Sequence, residues 1–321
     1  MPDSPSPETE QRVQPLFRKV NVFKYLSVLA VFVAVMAFDH WLKSVEVRGD
    51  GPVREAALRF MPVPLDPARF RPLRLAGAWE VEVEDPRFGG VSALAVDGDA
   101  LLALTDSGTI IRLPRPGRGK KAILRDLPGG PGNPQFKVDR DSEALIRDPA
   151  GRGWWVAFEF WHQLWLYDPG FRRSLVRIDL GEDRWPDNQG LEAIASDTNG
   201  LLFFPEPGGE WLRLSGSRLH SRSLANSFGN VADAASLSDG RVLLVTRKFG
   251  PRGIKKHLVE AERKGVDLTL RPIAALNLGP KDNIEAIAAE PRAGGGTRLW
   301  LMTDNDFRPR KATVLVAVDL P

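Results

Sequence analysis

The sequence predicts an all-β fold of repeated small sheets, a β-propeller, on three observations. A unit made of an acid or Ser, then Ala, an apolar residue, a short turn and a second apolar stretch recurs five times, at steps of 51, 49, 41 and 52 residues. The turns inside the units (DGD, DPAGRG, DTNG, SDG and EPRAGGG) carry the Gly, Asp and Asn that two-stranded hairpins require. No segment sustains a 3.6-residue period; a partial one over Lys255 to Lys264 is assigned to a loop or short helix.

The elements follow in chain order. Residues 1–19 are rich in Pro, Ser and Glu at their start and form a disordered tail on the cytoplasmic side. Residues 20–42 are expected to form a transmembrane helix: from Tyr25 to Phe38 only Ser27 is polar, and the segment spans about 34 Å at the helical rise. Arg18, Lys19 and Lys24 at its start outweigh Lys43, beside Asp39 and Glu46, at its end, which is expected to place the chain in the inner membrane as a single-pass protein with its C-terminal domain in the periplasm. Two readings compete: a buried core helix, and a signal segment cleaved after a Val35/Ala37 motif, which gives a secreted or periplasmic protein. Residues 43–72 read as a linker or strap and 73–321 as the propeller. Its ring is closed by pairing the strand from Leu73 with the one from Thr313. Five repeats are visible, and residues 250–281 leave room for a sixth, degenerate blade.

Composition narrows the chemistry. The absence of Cys excludes disulfides, thiolate catalysis and thiolate metal sites. Four His with no ligand spacing disfavour a His-rich zinc site, and a net charge of +3 gives no support to a nucleic-acid partner. No GxSxG elbow, SxxK or Walker loop is present. His162 and the aromatic residues around it (Trp154, Trp155, Phe158, Phe160, Trp161, Trp165) read as blade core.

Aligning the repeats puts Ser92, Glu143, Glu192, Asp233 and Glu285 in one column. Asp106, Glu159, Glu206, Arg247 and Asp304 form a second, at offsets of 14, 16, 14, 14 and 19 residues. Equivalent positions of a propeller's inner strands face one axis, so these acids are expected to converge at a channel mouth. Crowded carboxylates raise one another's pKa unless cations intervene. Glu143, Glu192, Asp233, Glu285, Asp106, Glu159, Glu206 and Asp304 are therefore candidate ligands for Ca²⁺, which takes six to eight oxygens, with Asn188, Gln189 and Asn283 nearby to complete a shell. Arg247 and Lys248 break the pattern in the fourth repeat, and Arg87, Lys137, Arg140, Lys281 and Arg308 lie close in sequence to the columns. Of these cations, Arg247, Lys248, Arg87 and Lys281 are the candidate catalytic residues, since cations among metal-binding acids suit a phosphate ester. The competing assignment of all these charges is turn capping and surface ion pairing.

The segments DPRFGGVSALAVDGDALLALTDSG, DSEALI, NQGLEAIA and DNIEAIA resemble the bacterial phytase-like propeller family, described as having esterase-like activity of phytase, from about Leu73 to Leu320. The resemblance implies a propeller, export and metal-dependent hydrolysis of phosphate esters. Glu143, Glu192 and Glu285 match its recurring Glu positions, whereas Ser92, Asp233 and Arg247 depart from them. The expectation is a monomeric, membrane-anchored, periplasm-facing hydrolase that acts on a small-molecule ester with metal-activated water. A non-catalytic propeller with a structural Ca²⁺, binding a cell-envelope ligand or partner, is the alternative, and a sugar-lactone hydrolase a third.

Overall fold

The computed structural model describes residues 51–321 apart from 182–184, 187–188, 216–217, 226–227, 251–252, 277, 280–282 and 309. The expected tail and membrane segment lie outside the described residues. Among the described residues no helix is long and apolar enough to cross a membrane. Helical structure there is confined to two short 3-10 turns, Pro67–Phe70 and Lys137–Arg140.

Strands β1 (Arg54–Pro62) and β2 (Arg74–Val83) come first. The first blade is β3 (Val91–Asp97), β4 (Ala100–Thr105), β5 (Thr109–Pro114) and β6 (Lys121–Asp126). The second is β7 (Ser142–Arg147), β8 (Trp154–Phe158), β9 (Gln163–Tyr167) and β10 (Ser174–Asp179). The third is β11 (Leu191–Asp197), β12 (Gly200–Pro205), β13 (Glu210–Ser215) and β14 (Arg218–Ala225). The fourth is β15 (Asn230–Ser236), β16 (Val242–Gly250), β17 (Gly253–Lys264) and β18 (Asp267–Leu276). The fifth is β19 (Ile284–Pro291), β20 (Thr297–Thr303) and β21 (Thr313–Leu320), completed by β2, which pairs antiparallel with β21 so that Trp79 lies opposite Leu315.

The inner strands β3, β7, β11, β15 and β19 neighbour one another in a closed cycle. The fold is thus a β-propeller of five four-stranded blades. Residues 253–276 are not a sixth blade but the two outer strands of the fourth. The stretch Lys255 to Lys264 lies in β17, whose pairing on both sides overrides its weak helical period. Residues 54–62, read as part of a linker or strap, form a strand that hydrogen-bonds to both β2 and β6 and joins the fifth blade to the first.

The all-apolar strands are explained by blade stacking. Side chains alternate along a strand, and here both faces meet a neighbouring blade. In β4, Leu101 and Ala103 pack toward the fifth blade while Leu102 and Leu104 pack toward the second. Five such apolar clusters fill the five blade junctions. Each fully buried Leu or Ile contributes about 1.5–3 kcal/mol, which is why no wider core is needed. Trp154, Phe158, Trp165 and Tyr167 belong to the junction of the first and second blades. His162 is buried edge-on against Trp185, whereas Phe160, expected in the core, is exposed on the turn between β8 and β9 with its ring against Trp161.

Every inner strand begins with a β-bulge at the same place. The ladder skips one residue between Val91 and Ala93, Ser142 and Ala144, Leu191 and Ala193, Val231 and Asp233, and Ile284 and Ala286. A bulge leaves its residue unpaired and re-aims the side chain. The bulged residues are Ser92, Glu143, Glu192, Ala232 and Glu285. The first column is therefore right in four repeats and displaced by one in the fourth, where Ala232 holds the position. Asp233 stands instead in register with Ala93, Ala144, Ala193 and Ala286. Its buried carboxylate accepts from the backbone N–H of Ala234 and of Ile287, both at 2.7 Å, and from Leu94, so one side chain ties the inner strands of the fourth, fifth and first blades together. Burial pushes its pKa well up, against the pull of those amides. Replacing Asp233 by Ala orphans three buried donors, at about 1–3 kcal/mol each. Denaturant unfolding is expected to show Asp233→Ala destabilised by about 3 kcal/mol or more, with no such loss for Asp239→Ala on an exposed turn.

Candidate functional site

The bulge residues and the residues that follow the second strands meet at one end of the propeller. The second-column residues are set by a repeated backbone bond: Asp106, Glu159, Glu206 and Asp304 donate their N–H groups to the carbonyls of Gly90, Asp141, Gly190 and Asn283 at 2.7–2.9 Å. Two glycines allow the close approach. A Cβ on Gly90, whose φ is +56°, would lie 2.3 Å from Asp106 Oδ1 and 2.2 Å from the Phe307 ring, and one on Gly190 would lie 2.9 Å from Glu159 Cα.

Two triads of carboxylates stand with one oxygen of each residue within 4.8 Å of the others: Asp141, Glu143 and Glu159, and Glu159, Glu192 and Glu206. Glu159 belongs to both. Asp106, Glu285 and Asp304 extend the group on either side. Two cations are embedded in it. Arg247, the fourth blade's contribution, reaches Glu285 at 2.5 Å, Glu206 at 2.9 Å and Glu192 at 3.5 Å. Lys137, from the 3-10 turn ahead of the second blade, reaches Asp106 at 3.0 Å and Asp141 at 3.1 Å. Lys311 stands 3.9 Å from Asp304, which also accepts from Asn283 Nδ2 at 3.3 Å. Glu143 and Glu159 form no ion pair among the described residues, and Asp106 Oδ1 is buried without a hydrogen-bond partner.

The electrostatics follow from this crowding. Burial pushes Asp106 up to about 7, Lys137 opposing and Asp141 adding to the shift. Burial, then Asp141 and Glu206, push Glu159 up to about 8, against Lys137 and Arg247. Glu143 is driven well up by burial and Glu192, and Glu192 by burial against the pull of Arg247. Burial also raises Asp304. Although burial works against their charge, Lys137 is held above the usual lysine range by Asp106, Asp141 and Glu143, and Arg247 above the usual arginine range by Glu192, Glu285 and Glu206.

The structure thus brings together seven of the eight candidate ligands and leaves Asp233 in the blade junctions. Of the four candidate catalytic cations only Arg247 enters the group among the described residues, and Lys137 joins it there. Arg87 is engaged with Asp85 at 3.0 Å and Asp126 at 3.4 Å. Lys248 is exposed near the end of β16, opposite Lys255. Lys281 and Asn188 lie outside the described residues. Arg140 is buried with its guanidinium on the Pro131 carbonyl, and Arg308 pairs with Asp306 at 2.7 Å. Ser92 donates to the Ser142 carbonyl at 2.6 Å, stitching the first blade to the second instead of presenting a charge. Asp141 went unread, although the signal was present: in Asp141-Ser142-Glu143 an acid stands two residues before the column, on the residue whose carbonyl holds Glu159.

Residues 86–307 match the phytase-like family, described as "Esterase-like activity of phytase". The chain belongs to the phytase-like family. No curated protein matches it in sequence. Among solved structures, glutaminyl cyclase of Myxococcus xanthus is similar over 78% of this chain and 97% of that one, at 11% identity and a TM-score of 0.51. The PQQ-bound aldose sugar dehydrogenase of Streptomyces coelicolor is similar over 84% of this chain and 98% of that one, at 15% identity and a TM-score of 0.46. At such identities the likeness is one of fold alone.

The raised carboxylates of this phytase-like ring give a signed pH dependence. A carboxyl whose folded pKa lies above its unfolded value stabilises the fold at low pH and ceases to do so as pH rises through the folded value. With Asp106 near 7 and Glu159 near 8, the chelated protein is expected to lose thermal stability between about pH 5 and pH 8. Thermal unfolding of the full chain in EDTA checks this, and the slope is expected to be shallower in Glu159→Gln.

Proposed function

We propose that this phytase-like protein is a divalent-metal-dependent hydrolase of phosphate or related esters, anchored by residues 20–42 and facing the periplasm. The observation that supports it is the excess of buried and half-buried carboxylates over cations at one mouth among the described residues. Eight acids of the ring face Arg247, Lys137 and the more distant Lys311, and like charges this close cannot all ionise without further positive charge.

The residues fit a hard divalent ion. Oxygens of three residues within 4.8 Å of one another leave room for an ion at about 2.3–2.6 Å from each, and the orphaned Asp106 Oδ1 adds a further acceptor. Asp141, Glu143, Glu159, Glu192 and Glu206 would hold Ca²⁺. When bound, such an ion polarises a phosphoryl oxygen and lowers the pKa of a water. The rest falls to the chain. Arg247 and Lys137 would supply the positive groups that meet the anionic oxygens of the ester, from two sides of the ring. The Phe307 ring over Gly90 walls one side of the mouth.

A second reading, a non-catalytic propeller with structural Ca²⁺, draws on Arg247 itself, since one guanidinium already satisfies three glutamates. One experiment separates the two. Hydrolysis of 4-nitrophenyl phosphate and 4-nitrophenyl acetate by the full chain is followed with Ca²⁺ or with EDTA, beside thermal unfolding in the same buffers. The proposal expects EDTA-sensitive turnover, reduced about 100-fold in kcat/KM by Glu192→Gln, a loss typical of removing one electrostatic stabiliser. Stabilisation by Ca²⁺ with no turnover on either ester establishes the second reading. In both, Ca²⁺ is expected to raise Tm more at pH 8 than at pH 5, because the metal competes with protons for the same oxygens.

A further inference from the structure

At the end of the propeller away from the acidic mouth, arginines gather in one place. A cleft of about 760 Å³ opens there between the first and fifth blades. It is lined by Arg115 and Arg118 after β5, by Glu290 at the end of β19, and by Arg292, Gly294 and Arg298 around the turn into β20. The acids of the mouth sit at the start of the inner strands and these residues lie beyond their ends, so a strand of seven residues, about 20 Å, separates the two sites.

Positive charge in the cleft exceeds what its acids neutralise. Asp319, almost fully buried, takes three guanidiniums at once: Arg74 at 2.5 Å, Arg298 at 2.9 Å and Arg292 at 3.5 Å. Glu290 is shared between Arg115 and the Trp300 indole N–H. Arg115 also donates to the Gly98 carbonyl at 3.0 Å, and its Nε is buried without a hydrogen-bond partner, so its charge is held at the wall of the cleft. Arg118 is exposed and forms no ion pair among the described residues. Asp99, the remaining acid of the lining, is turned to water and bound to Arg112 at 3.1 Å, so it offsets little.

The glycine run supports the same conclusion. Gly295 and Gly296 have φ of +85° and +75°, which the turn requires. Gly294 has no positive φ, and a Cβ there would meet nothing within 4 Å. Its missing side chain serves neither the turn nor the packing, and it leaves bare backbone open to the cleft.

We infer that this arginine cleft binds a phosphate group, with Arg118 and Arg292 as its donors and the Arg115 guanidinium adding positive charge to its wall. A phosphate carries nearly two negative charges and several acceptor oxygens, which matches guanidiniums arriving from separate strands better than a single carboxylate does. The phosphate comes from a soluble ligand or from a lipid headgroup, and two arms of one experiment tell these apart. In the first, pyrophosphate is titrated calorimetrically into the full chain in EDTA, which removes any anion held through metal at the acidic mouth. In the second, the full chain is floated with vesicles of phosphatidylglycerol or of phosphatidylcholine. Arg118→Gln/Arg292→Gln leaves the Arg115–Glu290 and Arg298–Asp319 pairs in place, and circular dichroism checks that it folds; Arg177→Gln on β10 is the control. Saturable pyrophosphate binding that weakens at least tenfold in the double variant and not in the control assigns a soluble phosphate. A preference for anionic vesicles alone, lost in the double variant, assigns a headgroup. Binding unchanged in the double variant, or absent from both arms, overturns the inference.

Discussion

Mutual repulsion among carboxylates at one mouth is the constraint around which this propeller is arranged. Two unit charges 4 Å apart interact by about 4 kcal/mol at an effective dielectric near 20, so a ring of eight such groups is affordable only with protons or cations inside it. Arg247 and Lys137 meet that demand in part. Each is placed where it touches acids from more than one segment: Arg247 spans the third and fifth blades from the fourth, and Lys137 joins Asp106 of the first blade to Asp141 just ahead of the second. The backbone makes the crowding possible, through a bulge that turns each column residue toward the mouth and glycines that let Asp106 and Glu159 approach.

Much of this was legible in the sequence because the repeat is a physical register. The apolar strands, the turn residues and the closing pair are each dictated by a local pattern, and five blade junctions demand five repeats. The fourth repeat shows where such reading stops. Asp233 lies 14 residues before Arg247, the same offset as Ser92 to Asp106, and acid identity made the alignment attractive. The ladder shows otherwise: Ser236 pairs with Val242, whereas Ser196 pairs with Leu201, so this hairpin is one residue longer and the column position passes to Ala232. The apolar residue before the bulge, present in four of the five blades as Val91, Leu191, Val231 and Ile284, marks the register better than the acid does. The partial helical period over Lys255 to Lys264 misled for a related reason, since spacing alone carries no information about the strands on either side.

Asp233 also shows how a position in a repeat acquires a different task. Where the other four blades place Ala, the fourth places a carboxylate that accepts three backbone N–H groups from three inner strands. A charge that would add to the repulsion at the mouth is, one residue further on, a clamp at the axis. A one-residue step along a strand exchanges its faces, and here it exchanges chemistry for structure.

The unequal blades also decide where the demand for positive charge is greatest. Arg247 serves Glu192, Glu206 and Glu285, and Lys137 serves Asp106 and Asp141. Between these two zones lie Glu143 and Glu159, which no cation reaches at ion-pair distance among the described residues. Glu143 is raised by burial and by four neighbouring acids, with no opposing cation among its main influences. Glu159 is the one residue common to both carboxylate triads. The second blade is therefore where the cations of the described residues leave the largest deficit, at the triad of Asp141, Glu143 and Glu159. The fourth blade, with Ala232 and Arg247, has the smallest. A fold with fivefold topology in this way acquires a polar mouth with unneutralised carboxylates gathered on one side and a guanidinium on the other.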